Sequence, residues 1–215
     1  MIGRLLRRLA LALALLVGGA GVAAAAAFYV DRTLGELSDA AKVRSLDPRP
    51  VQLVFAFQTN GTANARAQAE LKAQITSHVT ASGLFATITE SPAANGAVLA
   101  ITINDVSDVD AARRRGFRAG LTFGLAGNSV VDHYVATFEY RPIAGAPAIT
   151  RTIEHNLITT VGRTDPPANA DRVRRPQDAV ATVMRQLVAH GVNRVALDPA
   201  FPGVARPAGA AVQQP

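Results

Sequence analysis

Two pairs of adjacent ionisable residues, Asp132-His133 and Glu154-His155, have side-chain types that could support chemistry. A metal or hydrolytic site would need imidazoles and carboxylates to converge. The chain has only four histidines and no cysteine. A metal-dependent or hydrolytic enzyme that uses His133 and His155 is therefore one alternative, and it requires these two imidazoles to lie close together.

Other sequence signals of catalysis or cofactor binding are weak. There is no G-x-S-x-G motif and no glycine-rich phosphate-binding loop. Asp105, Asp108 and Asp110 have a spacing that invites a calcium site, but the glycine and terminal glutamate of an EF-hand loop are missing. We therefore expect no catalytic residue, no metal site and no cofactor.

Residues 113–140 are the most unusual part of the sequence, because a cluster of arginines opens a glycine-rich apolar run. One interpretation is a solvated loop followed by a core hairpin. Its functional interpretation is a surface for a partner or for an anionic membrane, where each cation contributes about 1 kcal/mol. The candidate surface residues are Arg113, Arg114, Arg115, Arg118, Gly116, Gly120 and Gly124.

Two periodicities fit this run, and they predict different structures. As a helix, the run carries a repeated Gly-x-x-x-Gly pattern on one face. As a strand, it alternates strictly, and a turn at Gly127-Asn128 gives a hairpin with a single apolar face. The strand is favoured. The facing pairs of this register are Leu125 with Val130, Leu121 with Tyr134, Ala119 with Ala136 and Phe117 with Phe138, and the exception is Asp132 opposite Phe123.

The amino terminus has the pattern of an export signal. Three arginines, Arg4, Arg7 and Arg8, precede a run without charge at residues 9–30. This run is long enough to be a cleaved signal peptide or an uncleaved membrane anchor. Either would send the rest of the chain out of the cytoplasm. The formal charge of +6 includes these three arginines, so the remaining excess is mild and we expect no nucleic-acid partner.

The rest of the chain predicts one small domain. Residues 1–27 are the signal peptide or anchor, 28–50 a linker, 51–197 the domain, and 198–215 a disordered Pro/Ala-rich tail. Alternating apolar residues predict a strand at 51–57, and apolar residues four apart predict a helix that Gly83 ends as a left-handed residue. We expect a hairpin of 84–90 with 97–106, a strand at 149–161 and a loop at 162–176. Pro176 is expected to open the final helix at its first position, and Gly191 to end it.

These elements give the order β-α-β-β-β-β-α. The fold class is therefore predicted to be α+β, with a mostly antiparallel sheet and two helices packed on one face.

This pattern resembles a group of bacterial envelope domains. The strand at 51–57, the following helix, Leu84-Phe85 and the strand at 99–106 are similar to the start of TolB amino-terminal-like domains, a group that includes the curli secretion lipoprotein. Residues 116–125 followed by Asp132-His133-Tyr134 resemble a run in uncharacterised Gram-negative envelope lipoproteins. This chain departs from them because it lacks the lipobox cysteine. The resemblance implies a fold and a compartment, and it carries over no functional residue.

The leading hypothesis is a non-enzymatic binding or assembly module of the periplasm, free or anchored in the inner membrane and facing the periplasm. Its expected partner is an envelope protein or the membrane surface. Beside the enzyme, a further alternative is an oligomeric membrane pore or secretion accessory that uses the hairpin at 113–140. The sequence leaves the oligomeric state open.

Overall fold

The computed structural model describes residues 26–107, 128–162 and 164–205. Two α-helices and a short 3₁₀ turn at Asp39–Ala41 lie in these ranges. The helices are α1 (Ala65–Ala81) and α2 (Pro176–Ala196). The strands are β1 (Ala26–Asp31), β2 (Arg44–Ser45), β3 (Arg49–Thr59), β4 (Thr62–Ala63), β5 (Phe85–Thr89), β6 (Val98–Ser107), β7 (Asn128–Arg141), β8 (Ile149–Val161), β9 (Ala170–Val173) and β10 (Val204–Ala205).

The predicted α+β class, with a mostly antiparallel sheet and two helices, is confirmed. The chain divides into two compact units. In the first unit, which includes residues 26–32, 128–132, 156–162 and 164–183, β1 pairs antiparallel with both β8 and β9. In the second unit, formed by Thr33–Ser107, His133–His155 and residues 184–205, the strand order is β4-β3-β6-β7-β8.

Helix α1 forms where the apolar spacing predicts it. Leu71, Ile75 and Val79 are buried, as expected for residues on one helical face. The N-cap is Asn64, whose side-chain oxygen accepts a hydrogen bond from the backbone N–H of Ala67 at 3.0 Å. Gly83 follows the helix with a φ of +68°, so the predicted left-handed residue at the C-terminus is confirmed.

The predicted hairpin of residues 84–90 with 97–106 is wrong. Strands β5 and β6 both pair parallel to β3, and Gln52 of β3 faces Thr89 on one side and Val98 on the other. β3 therefore separates the two strands. The helix between β3 and β5 allows these two strands to pair in parallel. The turn residues at 91–96, which suggested a hairpin, do not show this.

The carboxy-terminal half of the predicted central hairpin has the expected buried face. Tyr134, Ala136 and Phe138 of β7 are buried, and Phe138 has no exposed surface. Asn128, placed in the turn by the sequence, is instead the first residue of β7. The other predicted strand, at 117–126, lies outside the described residues.

Helix α2 begins at Pro176, as predicted, but Gly191 does not end it. The helix continues to Ala196. A Cβ atom at Gly191 would lie 2.2 Å from Cε2 and from Cζ of Phe138, so this position needs a glycine because a buried ring lies against the helix backbone. Glycine is thus needed at position 191 because the Phe138 ring approaches the helix backbone closely, and not because the helix ends there.

Three segments that the sequence predicts to be irregular contain ordered structure. β1 and the buried Val43 lie in or beside the predicted linker at 28–50. β9 lies in the predicted loop at 162–176. Phe201 is buried and β10 pairs with β2, so ordered structure continues into the predicted tail as far as residue 205. Short strands that depend on distant partners carry little sequence signal of their own.

Candidate functional site

The predicted arginine and glycine surface lies outside the described residues. Arg113, Arg114, Arg115, Arg118, Gly116, Gly120 and Gly124 all fall in the gap between Ser107 and Asn128. This surface stays a prediction.

His133 and His155 do not converge, because they lie on opposite faces of the sheet. His133 points outward, where its Nε2 lies 3.5 Å from Oε2 of Glu154 on the neighbouring strand. His155 is buried and donates from Nε2 to Oε1 of Gln186 in α2, at 2.6 Å. The alternation of β8 thus sends Glu154 to the outer face and His155 to the helix side. The arrangement required by the enzyme alternative is not formed.

Metal-binding geometry is also missing from the part of the chain that the structure describes. Within residues 26–107, 128–162 and 164–205, no group of three or more His, Asp or Glu side chains could hold a metal ion. Glu139 is exposed on β7. Asp132 is partly buried, and burial raises its pKa to about 6.

A cleft in the second unit brings together residues that the sequence analysis did not connect. It has a volume of about 180 Å³ and lies between the C-terminal end of α1, the middle of α2 and the segment before β2. Its apolar wall consists of Leu37, Val43, Ala81, Leu84, Ala189 and Val192. Its polar side chains are Glu36, Lys42, His78, Ser82, Arg185 and Asn193.

A hydrogen-bonded chain holds one wall of this cleft in place. Arg185 donates to both carboxylate oxygens of Glu36, and Gln186 donates to Glu36 Oε1 at 2.9 Å. The hydrogen bonds from Arg185 hold the pKa of Glu36 below its usual value. Because Gln186 also accepts a hydrogen bond from His155, the series of hydrogen bonds extends from the exposed Glu36 carboxylate into the core. This ties the segment around residue 36 to α2.

The same segment is fixed at two further points along α2. Asn193 accepts a hydrogen bond from the Val43 N–H at 2.7 Å and donates to the Ala41 carbonyl at 3.0 Å. His190 donates from Nε2 to the Gly35 carbonyl at 3.3 Å, and burial lowers the pKa of His190. These contacts hold the segment of residues 35–43, which forms one wall of the cleft, against α2.

His78 is the unusual polar residue of the cleft. Its Nε2 atom is buried and has no hydrogen-bond partner among the described residues. Burial lowers the pKa of His78, and the nearby charge of Arg185 lowers it further. Both effects favour the neutral imidazole.

The sequence contains little that would have revealed the cleft. Glu36 and Arg185 are 149 positions apart and each reads as an ordinary surface charge. Asn193 gave no signal either, because the expected helix ended at Gly191 and left Asn193 beyond it.

Comparison with known proteins gives only weak similarities. No family model and no curated protein matches the sequence. The chain is similar to the PelC dodecamer from Paraburkholderia phytofirmans, at 13% identity over 72% of this chain and 90% of that chain, with a TM-score of 0.33. It is also similar to a DUF330 protein from Xanthomonas campestris, at 13% identity over 69% and 81% of the two chains and a TM-score of 0.36.

A third similar structure is a neuraminyllactose-binding hemagglutinin homologue from Helicobacter pylori, at 10% identity over 78% of this chain and 95% of that chain, with a TM-score of 0.38. Similarities of this strength assign no function. None of the helices in the described part of the chain is long and apolar enough to cross a membrane.

Proposed function

We propose that this chain is a non-enzymatic binding or assembly module of the bacterial envelope, which binds a protein partner through the cleft between α1 and α2. Export is supported by the basic amino terminus and the uncharged run at residues 9–30. The cleft is the single observation that carries the binding role.

The size of the cleft favours a protein partner over a small molecule. Ligand pockets typically have volumes of about 300–1,000 Å³, whereas this cleft has a volume of about 180 Å³. A cleft of this size suits one large side chain of a partner, and anchors of this kind contribute a large share of the binding energy in protein interfaces.

The lining of the cleft favours an amphipathic anchor such as tyrosine. Aliphatic side chains, among them Leu84 and Val192, would contact the ring, and both are buried at the base of the cleft. The exposed ion pair of Arg185 with Glu36 offers a donor and an acceptor at the rim. Tyrosine combines a large apolar ring with one polar group, as this arrangement requires.

Filling the cleft tests this proposal. Ala81 is exposed at the end of α1 and lines the cleft. The larger side chain of Ala81→Leu therefore fills part of the cleft and does not enter the core. Its matched control is Ala73→Leu, also at an exposed position of α1, which does not line the cleft. The measurement is crosslinking of the full chain in envelopes, followed by identification of the crosslinked proteins.

We expect a crosslinked protein that is present with the parent and with Ala73→Leu and is lost with Ala81→Leu. Both variants should melt like the parent, since neither site is buried. If Ala81→Leu retains every crosslink of the parent, the cleft is not the binding surface. If the chain is recovered in the cytosol, the envelope role fails separately.

The oligomeric pore built on residues 113–140 remains a prediction. Its candidate residues lie outside the described ranges, and the described contacts neither favour nor oppose it. A ring-shaped assembly in detergent would support it.

A further inference from the structure

A pair of arginines in the first unit lies beside the start of β1. Strand β9 pairs with β1 so that Arg172 faces Tyr29, and Arg174 follows directly after the strand. Both arginines are exposed. Together with Ala26, Ala27 and Val173, they line an open cavity of about 390 Å³.

The charges of these two arginines are not neutralised by the described residues of the chain. Their neighbours, Arg32 and Arg175, form ion pairs with Asp171 and Asp178. No described carboxylate forms such a pair with Arg172 or Arg174. The cavity therefore combines two available guanidinium groups, which suit the bidentate binding of phosphate.

The position of this cavity along the chain points to one source of phosphate. β1 takes up residues 26–30 of the uncharged run, which leaves residues 9–25, about 17 residues and the lower limit for a membrane-spanning helix. One extended residue spans at most about 3.6 Å. A chain retained in the membrane through this segment would therefore carry Ala26 and Ala27 within a few residues of the lipid headgroups.

We propose that Arg172 and Arg174 dock the first unit onto the anionic phospholipid headgroups of the membrane in which the amino-terminal segment is retained. This rests on the export in the proposed function and adds retention of that segment. Each arginine is expected to shift the equilibrium between the docked and undocked states about fivefold, because this corresponds to the electrostatic attraction of one cation to an anionic membrane surface. The effect should weaken as salt is added.

The test uses the full chain in lipid nanodiscs of phosphatidylcholine alone or of phosphatidylcholine with phosphatidylglycerol. Hydrogen–deuterium exchange is measured at Ala26–Asp31 and at residues 170–175. We expect slower exchange in the anionic discs. Arg172→Gln with Arg174→Gln should abolish this difference, and the control Arg44→Gln, an exposed arginine of β2 in the second unit, should preserve it.

The outcomes separate docking from the proposed function. A chain that inserts into both discs and exchanges equally in them overturns docking alone. Docking is also overturned if hydrogen–deuterium exchange is as slow in the neutral discs as in the anionic discs, or if the double variant still exchanges more slowly in the anionic discs. A chain that carbonate extracts from native envelopes is not retained, which overturns docking but leaves binding through the cleft to be judged by its own crosslinking test.

Discussion

His155 and Gln186 form a buried hydrogen bond of 2.6 Å between β8 and α2, and their exposed fractions are 3% and 6%. Gln186→Leu would leave the imidazole without this acceptor in a place that water does not reach. We expect the free energy of unfolding to fall by about 1–3 kcal/mol, measured by urea denaturation.

The double variant His155→Leu with Gln186→Leu is the internal control for this prediction. Removing both polar partners costs little when shape is kept, so the double variant should be more stable than Gln186→Leu alone. If the double variant loses the sum of the free energies of unfolding that the two single variants lose, the two side chains are not coupled.

Gly191→Ala should destabilise the protein although alanine is the better helix former. The added Cβ would lie 2.2 Å from two ring atoms of the fully buried Phe138. We expect a loss of about 1–3 kcal/mol in thermal or urea unfolding. In a Phe138→Leu background, the same substitution should become neutral or stabilise by up to about 1 kcal/mol, because only the helix propensity remains. An equal loss in both backgrounds would contradict the close approach.

Asp132 should make the protein less stable as pH rises from about 4 to 6. Burial raises the pKa of Asp132 from 3.8 to about 6, so the folded state binds a proton that the unfolded state has released. Asp132→Asn removes this penalty and should stabilise the protein by about 2–3 kcal/mol at neutral pH. The gain should vanish below about pH 4. Asp165→Asn, at an exposed position, is the control for the loss of one charge.

His78 should act in the opposite direction on acidification. Burial lowers the pKa of His78, so the unfolded state binds a proton that the folded state excludes, and stability falls as pH drops through the range just below 6.5. His78→Leu should therefore stabilise the protein more at about pH 5 than at about pH 7. Parallel pH profiles for the parent and the variant would contradict this.

Local patterns predict the elements that local interactions stabilise. The alternation of β3 and the four-residue spacing of α1 are visible in sequence, because their buried faces belong to single elements. The partners of β5 and β6 are not visible, since the order of strands depends on which parallel crossover forms. The same holds for the cleft, where Glu36 and Arg185 meet only after the chain has folded. Gly191 shows that a correct local signal can have a different physical cause.

The pairing of β1 has a consequence for the order in which the protein folds. Ala26 pairs with Val161 and Phe28 with Val173, so the first strand that the structure describes pairs with the last two strands of its sheet. The β3-α1-β5 segment is local and closes early, whereas contacts between distant positions form slowly because a long loop must close first. In the export that we propose, β1 would cross the membrane first and would stay open to other β-strands until almost the whole chain has crossed. Correct pairing of β1 would then depend on how fast the carboxy-terminal third of the chain crosses the membrane.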